Sequence, residues 1–259
     1  MNLKENLADK YVAYLDVLGF KELVFKRKIE DLEIYFSTIH EVLNDVKSAK
    51  QNIQSLLVSD SVILIAPNTK EDFKILIRAV QTIQTALFFK NIWIRGAVSF
   101  GEIHFDTKEN LIVGKGLINA YLLEQLARYP RVIIDPSVIP RIEPNRESFY
   151  QFINPDSLNC DLNNLNLVHD GSSSNEDFFV AYGHKVMTEA VKQRELEKVY
   201  KLVLENIYSS QLHYEKYLWV KKYFIEVLTN VLEMYSKNSG KSSDETVYIK
   251  QWFDKFPGI

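Results

Sequence analysis

Two aspartates stand where carboxylates are hard to place. Asp16 lies within YVAYLDVLGF at positions 11–20, and Asp60 within IQSLLVSDSVILIAP at 53–67. Both stretches have the apolar, β-branched composition of buried strands, and a carboxylate taken out of water needs a partner. Three answers are open for Asp16: a strand-end cap, a buried Lys or Arg, or a divalent cation. Asp60 by itself reads as a turn aspartate. Together, two carboxylates emerging from neighbouring strands are hard oxygen ligands of the kind that suits Mg²⁺ or Mn²⁺. Arg95 sits inside the equally apolar NIWIRGAV. It either faces a cleft, where it binds phosphate or a carboxylate, or closes a structural salt bridge. Gly19, Phe20 and Lys21 follow Asp16 at a strand-to-helix turn, where backbone N–H groups can approach an anion.

These side chains must be positioned by elements that the hydrophobic periodicity outlines. A strand covers 11–18, and residues 29–49 place Leu32, Tyr35, Phe36, Ile39, Val42, Leu43 and Val46 at helical spacing. The alternating run at 53–67 predicts a hairpin that turns near Ser59, Asp60 and Ser61. A second amphipathic helix covers 70–90, with Phe73, Leu76, Ile77, Val80, Ile83 and Leu87 on one face. NIWIRGAVSFGEIHFD and NLIVGKG predict a further strand pair, with Gly101 and Glu102 turning one strand into the next and Glu102 exposed. A third helix at 116–129 ends before Pro130, and RVIIDPSVI predicts another strand. This order is an α+β plan, with helices packed on a largely antiparallel sheet. Residues 154–175 turn to Asn, Asp and Ser and read as an irregular excursion, after which DFFVAYG at 177–183 reads as a strand. Beyond Met187 two amphipathic stretches read as a C-terminal α-helical hairpin. The expected division is therefore 1–150, then 151–185 as excursion and final strand of the same domain, then 186–259 as a helical extension.

Composition narrows the possible partners. With 31 basic and 34 acidic residues the net charge is −3, so no global field draws nucleic acid or an anionic membrane. The single cysteine, Cys160, excludes an intrachain disulfide and a cysteine zinc cluster, which predicts a reducing, cytoplasmic compartment. No run approaches ~18 uninterrupted apolar residues, so no membrane span is expected. The five histidines show no metal-ligand spacing, and VGKGL lacks the spacing of a P-loop. HDGSSSNED resembles an acidic loop but misses the calcium-loop pattern.

The segments LDVLGF, SDSVIL, RGAVSFGEI and VGKGLINAYLLEQLARYPRVIIDPSVI, in this order and spacing, resemble a class III nucleotidyl cyclase domain. More narrowly they resemble the bacterial pyrimidine cyclases of the Pycsar anti-phage defence system. The resemblance covers about 10–140, with softer likeness in DFFVAYG and YEKYLWVKKYF. It implies a ferredoxin-like cyclase fold with 1–150 as the catalytic domain. It also implies a homodimer with shared active sites, acting on a nucleoside triphosphate with two Mg²⁺ or Mn²⁺ ions per site. Asp16, the main-chain carbonyl of Val17 and Asp60 would hold the metals. One ion would polarise the ribose 3′-hydroxyl, and both would offset phosphate charge during in-line attack. The amides of Leu18, Gly19 and Phe20, with Lys21 nearby, would cradle the triphosphate. A separate effector protein would sense the cyclic product.

Departures from the family pattern bear on activity and on the base. The asparagine and arginine that class III cyclases carry on the helix after the glycine turn are replaced by Ile118 and Leu122. Asn119 is one residue off, turned by roughly 100° on a helix. Arg95, Lys115, Arg128 or Arg131 would have to supply the transition-state charge. The lysine and aspartate that read adenine correspond to Gln54 and Leu111, which removes the hydrogen bonds that select adenine and leaves room for a pyrimidine. Gln54 is a candidate base reader. The expected function is a uridylate or cytidylate cyclase, uridylate favoured. The alternatives are a catalytically inactive cyclase-like nucleotide-binding or interaction domain, and a purine nucleotide cyclase.

Overall fold

The computed structural model describes residues 7–26, 28–48, 52–106, 109, 111–155, 167–169, 178–209, 211, 213–238 and 243–258. Cys160 and most of the polar excursion lie outside them. Two compact units form, one from 1–150 with 168–180 and the other from 151–167 with 181–259.

In the first unit, strand β1 (Ala8–Val17) is central, with its buried residues between Tyr11 and Val17. Helices α1 (Phe20–Phe25) and α2 (Ile29–Ser48) lead to the hairpin β2 (Gln54–Val58) and β3 (Ser61–Pro67). Ser59 in the connecting turn has φ 57°, the left-handed region that tight hairpin turns require. Helix α3 (Lys70–Phe88) starts where the Thr69 side chain accepts from the Asp72 amide at 3.0 Å, with Glu71 and Asp72 in the first turn against its positive end. Then come β4 (Ile94–Asp106), β5 (Leu111–Val113), helix α4 (Lys115–Glu124) and β6 (Val132–Ile134). Two short helices follow, α5 (Ile139–Ile142) and α6 (Arg146–Ile153), and then β7 (Val168–His169) and β8 (Phe179–Val180).

The sheet order is β2-β3-β1-β4-β6-β8-β7, with β5 paired to β4. Each neighbouring pair among β2, β3, β1 and β4 is antiparallel, and with their connecting helices these strands make the ferredoxin-like split βαβ arrangement. Strand β6 runs parallel to β4. The expected α+β plan is therefore present.

Period-two alternation assigns the two faces of β1. Tyr11, Ala13, Leu15 and Val17 are buried on one face, where Tyr11 meets Phe73 of α3 with ring centroids 4.9 Å apart. The other face carries Lys10, Val12, Tyr14 and Asp16. There Val12, Ile63, Ile65, Ile103 and Ala120 form a smaller apolar cluster that α4 completes. This second face holds the candidate site.

Three local expectations differ from the structure. Gly101 and Glu102 do not turn the chain: β4 runs through them unbroken, with Glu102 exposed. Glycine is needed at 101 for contact instead, because an added Cβ would stand 2.8 Å from the backbone nitrogen of Gly116. Helix α4 stops at Glu124 rather than near 129, because the Leu126 and Ala127 amides bond to the Leu123 and Glu124 carbonyls and tighten the last turn. Among the described residues of DFFVAYG, the strand covers Phe179–Val180 and helix starts at Tyr182.

The second unit contains four helices among its described residues rather than a simple hairpin: α7 (Tyr182–Lys192), α8 (Leu196–Ile207), α9 (Tyr214–Asn238) and α10 (Asp244–Phe253). The Gly183 amide donates to the Tyr223 hydroxyl at 3.0 Å and the Leu196 amide to the Tyr248 hydroxyl at 2.9 Å, which ties α7 to α9 and α8 to α10. Among the described residues, no helix is long and apolar enough to cross a membrane.

Candidate functional site

Strand register decides what Asp16 meets. It pairs with Ser61 of β3 on one side and with Arg95 of β4 on the other. Asp60 immediately precedes Ser61, so the hairpin turn carries its carboxylate to the same end of the sheet. The Tyr35 hydroxyl of α2 donates to the Asp60 carbonyl at 3.1 Å and helps to hold that turn. Tyr14, one pleat back on the same face, shares a hydrogen bond with the Ser61 hydroxyl at 2.7 Å.

The charges converge unevenly. Arg95 Nη2 lies 3.6 Å from Asp16 Oδ2, and Arg95 Nε lies 2.5 Å from Glu124 Oε1 in an ion pair whose angles do not make a hydrogen bond. Two carboxylates thus flank one guanidinium, and the Asp60 charge acts on both of them. Burial raises the Asp16 carboxyl to about 6, with further upward pushes from the Asp60 and Glu124 charges that outweigh the lowering by Arg95. Burial likewise raises Glu124, partly offset by Arg95.

Two carboxylates crowded at a strand end, with more negative than positive charge about them, fit a divalent cation. Among the described residues, no group of three or more His, Cys, Asp and Glu side chains is arranged to hold a metal. A cation at Asp16 and Asp60 would complete its shell with backbone oxygen, water or ligand phosphate, the habit of Mg²⁺.

Glu124 is the residue that sequence reasoning missed. At the end of an amphipathic helix it looks like a solvated charge, yet it is 3% exposed. The signal was present in the spacing. Gly116, Ala120 and Glu124 recur at one-turn intervals and form the buried stripe of α4. Two small residues let the helix lie close on β4, where Gly101 meets Gly116 and the Ser99 hydroxyl donates to the Gly116 carbonyl at 2.6 Å.

The remaining candidates fall into different places. Gly19 adopts φ +81° at the start of α1 with nothing within 4 Å of an added Cβ, so the turn needs glycine for its backbone rather than for space. The Leu18 amide donates to the Trp93 carbonyl at 2.8 Å. Lys21 is exposed. Val17 ends β1 opposite Ile94. Gln54 opens β2, at the far end of the hairpin from Asp60, and accepts from Lys10 Nζ at 3.3 Å. Asn119 is half-buried on α4, off the stripe that ends at Glu124. Ile118 and Leu122 are exposed at 57% and 55%. Arg131 is buried, with its guanidinium over the Tyr129 and Phe179 rings, whereas Lys115 and Arg128 are exposed.

No protein-family model matches the chain, and no curated protein matches it. Solved structures resemble part of it. The adenylyl cyclase CyaB from P. aeruginosa is 15% identical with a TM-score of 0.43, covering 53% of this chain and 82% of that one. The guanylyl cyclase Cya2 is 13% identical with a TM-score of 0.42, covering 52% and 79%. The guanylate cyclase domain of RhGC from Catenaria anguillulae, solved in complex with GTP, is 12% identical with a TM-score of 0.38, covering 52% and 82%.

Proposed function

We propose that the protein is a nucleotidyl cyclase of the class III kind, which converts a nucleoside triphosphate to a 3′,5′-cyclic monophosphate and pyrophosphate. The observation that carries this reading is the convergence of Asp16 and Asp60 at one end of the central strand pair, with uncompensated negative charge between them. Divalent ions held by these carboxylates, with the Val17 carbonyl as a further ligand, would supply charge neutralisation at the phosphates and activation of the ribose hydroxyl. Gly19, Phe20 and Lys21 would bind the triphosphate and orient it. Arg95 is held between the Asp16 and Glu124 carboxylates and remains a candidate for offsetting phosphate charge. Asn119 remains a candidate for the transition state, completed by a second copy of the chain.

The favoured substrate is a pyrimidine nucleotide, UTP before CTP. Support comes from Gln54 and Leu111 standing where adenine-reading cyclases have a lysine and an aspartate. The motif resemblance extends this to messenger synthesis in anti-phage defence, with a separate effector downstream. The second reading is a domain that binds nucleotide without turnover. It is favoured by Ile118 and Leu122, which present apolar side chains on α4 where the family carries a polar pair.

Incubating the whole chain with each nucleoside triphosphate and Mn²⁺, followed by chromatography, separates these readings. Cyclic UMP and pyrophosphate are expected, and both should vanish in Asp16→Ala and Asp60→Ala. No cyclic product from any nucleotide overturns the enzyme reading, and activity that survives both substitutions overturns the metal assignment.

A further inference from the structure

We propose that Glu124 is a positioning residue: it holds Arg95 off Asp16, so that the Asp16 carboxylate stays available to a divalent cation. The inference rests on the metal-binding reading of Asp16 and Asp60.

The argument starts from the guanidinium. Its donors match a carboxylate as a fork, and an arginine beside a single carboxylate settles into a two-pronged pair. Arg95 does not do this with Asp16, although the two are cross-strand partners in register. Only Nη2 approaches, and it stays at 3.6 Å, whereas Nε is drawn to Glu124 at 2.5 Å. Glu124 therefore competes for the arginine and wins the closer contact.

That competition is built into the fold. Gly116 is seated against Gly101, and the Ser99 hydroxyl donates to the Gly116 carbonyl. Two turns further along the same stripe, the helix delivers Glu124 above Arg95. The carboxylate is nearly inaccessible, so solvent cannot take the place of its partner. Without Glu124, Nε and Nη2 would both turn to Asp16. A divalent ion would then have to displace a resident cation from its own ligand. With Glu124 present, the three carboxylates outnumber the arginine and the site keeps its attraction for a cation.

Mn²⁺ binding to the whole chain, read as free Mn²⁺ by electron paramagnetic resonance, tests this without relying on turnover. Glu124→Gln keeps the shape and removes the charge, and should weaken Mn²⁺ binding about 10- to 100-fold, the usual effect of losing a partner behind a metal ligand. Adding Arg95→Met to that variant should return binding to the wild-type range, because the competing cation is gone. A helix that merely lost a structural ion pair would show no such recovery. Wild-type binding in Glu124→Gln, or a double variant as weak as the single one, overturns the proposal. If Glu124→Gln does not fold, Arg95→Met alone decides: binding as strong as wild type or stronger supports the proposal, and weaker binding overturns it. A wild-type chain that binds no Mn²⁺, with or without UTP, overturns the metal reading itself and the inference with it, whereas failure confined to the variants overturns the inference alone.

Discussion

Asp16 and Arg95 face each other in register across β1 and β4, yet their side chains meet only at 3.6 Å. The arginine does not neutralise the aspartate. The consequence is a strand end that carries net negative charge in a partly desolvated setting, which is unfavourable for the metal-free fold and favourable for a cation.

Removing that charge should stabilise the protein. A carboxyl held near 6 instead of 3.8 disfavours the ionised folded state, by about 2–3 kcal/mol. In the absence of divalent ions Asp16→Asn should raise Tm by about 4–12 °C, and with Mn²⁺ present it should yield no cyclic product. Differential scanning calorimetry in EDTA checks it, and an unchanged or lowered Tm contradicts the electrostatic account.

The same group sets a pH dependence. The folded pKa of Asp16 lies above its unfolded value, so the folded state holds the proton more tightly. The stability this confers is full below 3.8 and is lost as pH rises through about 6. Subtracting the Asp16→Asn unfolding curve from that of wild type should therefore show wild type losing ground between about pH 4 and 7. Urea unfolding at fixed pH values measures this difference, and a flat one contradicts it.

Gly101→Ala tests the seat of α4. The new Cβ would press on the Gly116 backbone, which cannot swing away as a flexible side chain would. A loss of about 1–3 kcal/mol is expected by urea denaturation. A neutral result would show that α4 shifts freely on β4.

Gly19 separates backbone strain from crowding. The open space around it means that substitution costs only the φ +81° conformation. Gly19→Ala should lose about 1 kcal/mol and Gly19→Asn less, because asparagine tolerates the left-handed region. Equal and large losses would point to a steric cause that the structure does not contain.

Much of this was legible before any coordinates. Apolar residues at period two and at helical spacing report local geometry, so β1, the β2–β3 hairpin, α2 and α3 fall close to their expected bounds. Gly101 shows where such reading stops. A glycine beside a charged residue looks like a turn, but here it marks a helix pressed on a continuous strand. Helix α10 was missed for a related reason: its polar start, Ser243 and Asp244, is a cap rather than a loop, as the Ser243 side chain accepting from Thr246 N shows.

The sequence by itself determined which residues carry charge within apolar strands, and hence that Asp16, Asp60 and Arg95 required partners, because desolvation cost is a property of residue type and neighbourhood in the chain. Only the tertiary structure decided who those partners are. Pairing of β1 with β3 and β4 set Asp16 beside Ser61 and Arg95, and the close approach of α4 buried Glu124 against the same arginine. Charge contacts depend on distance through space, and strand register and helix seating, summed over many residues, fix that distance.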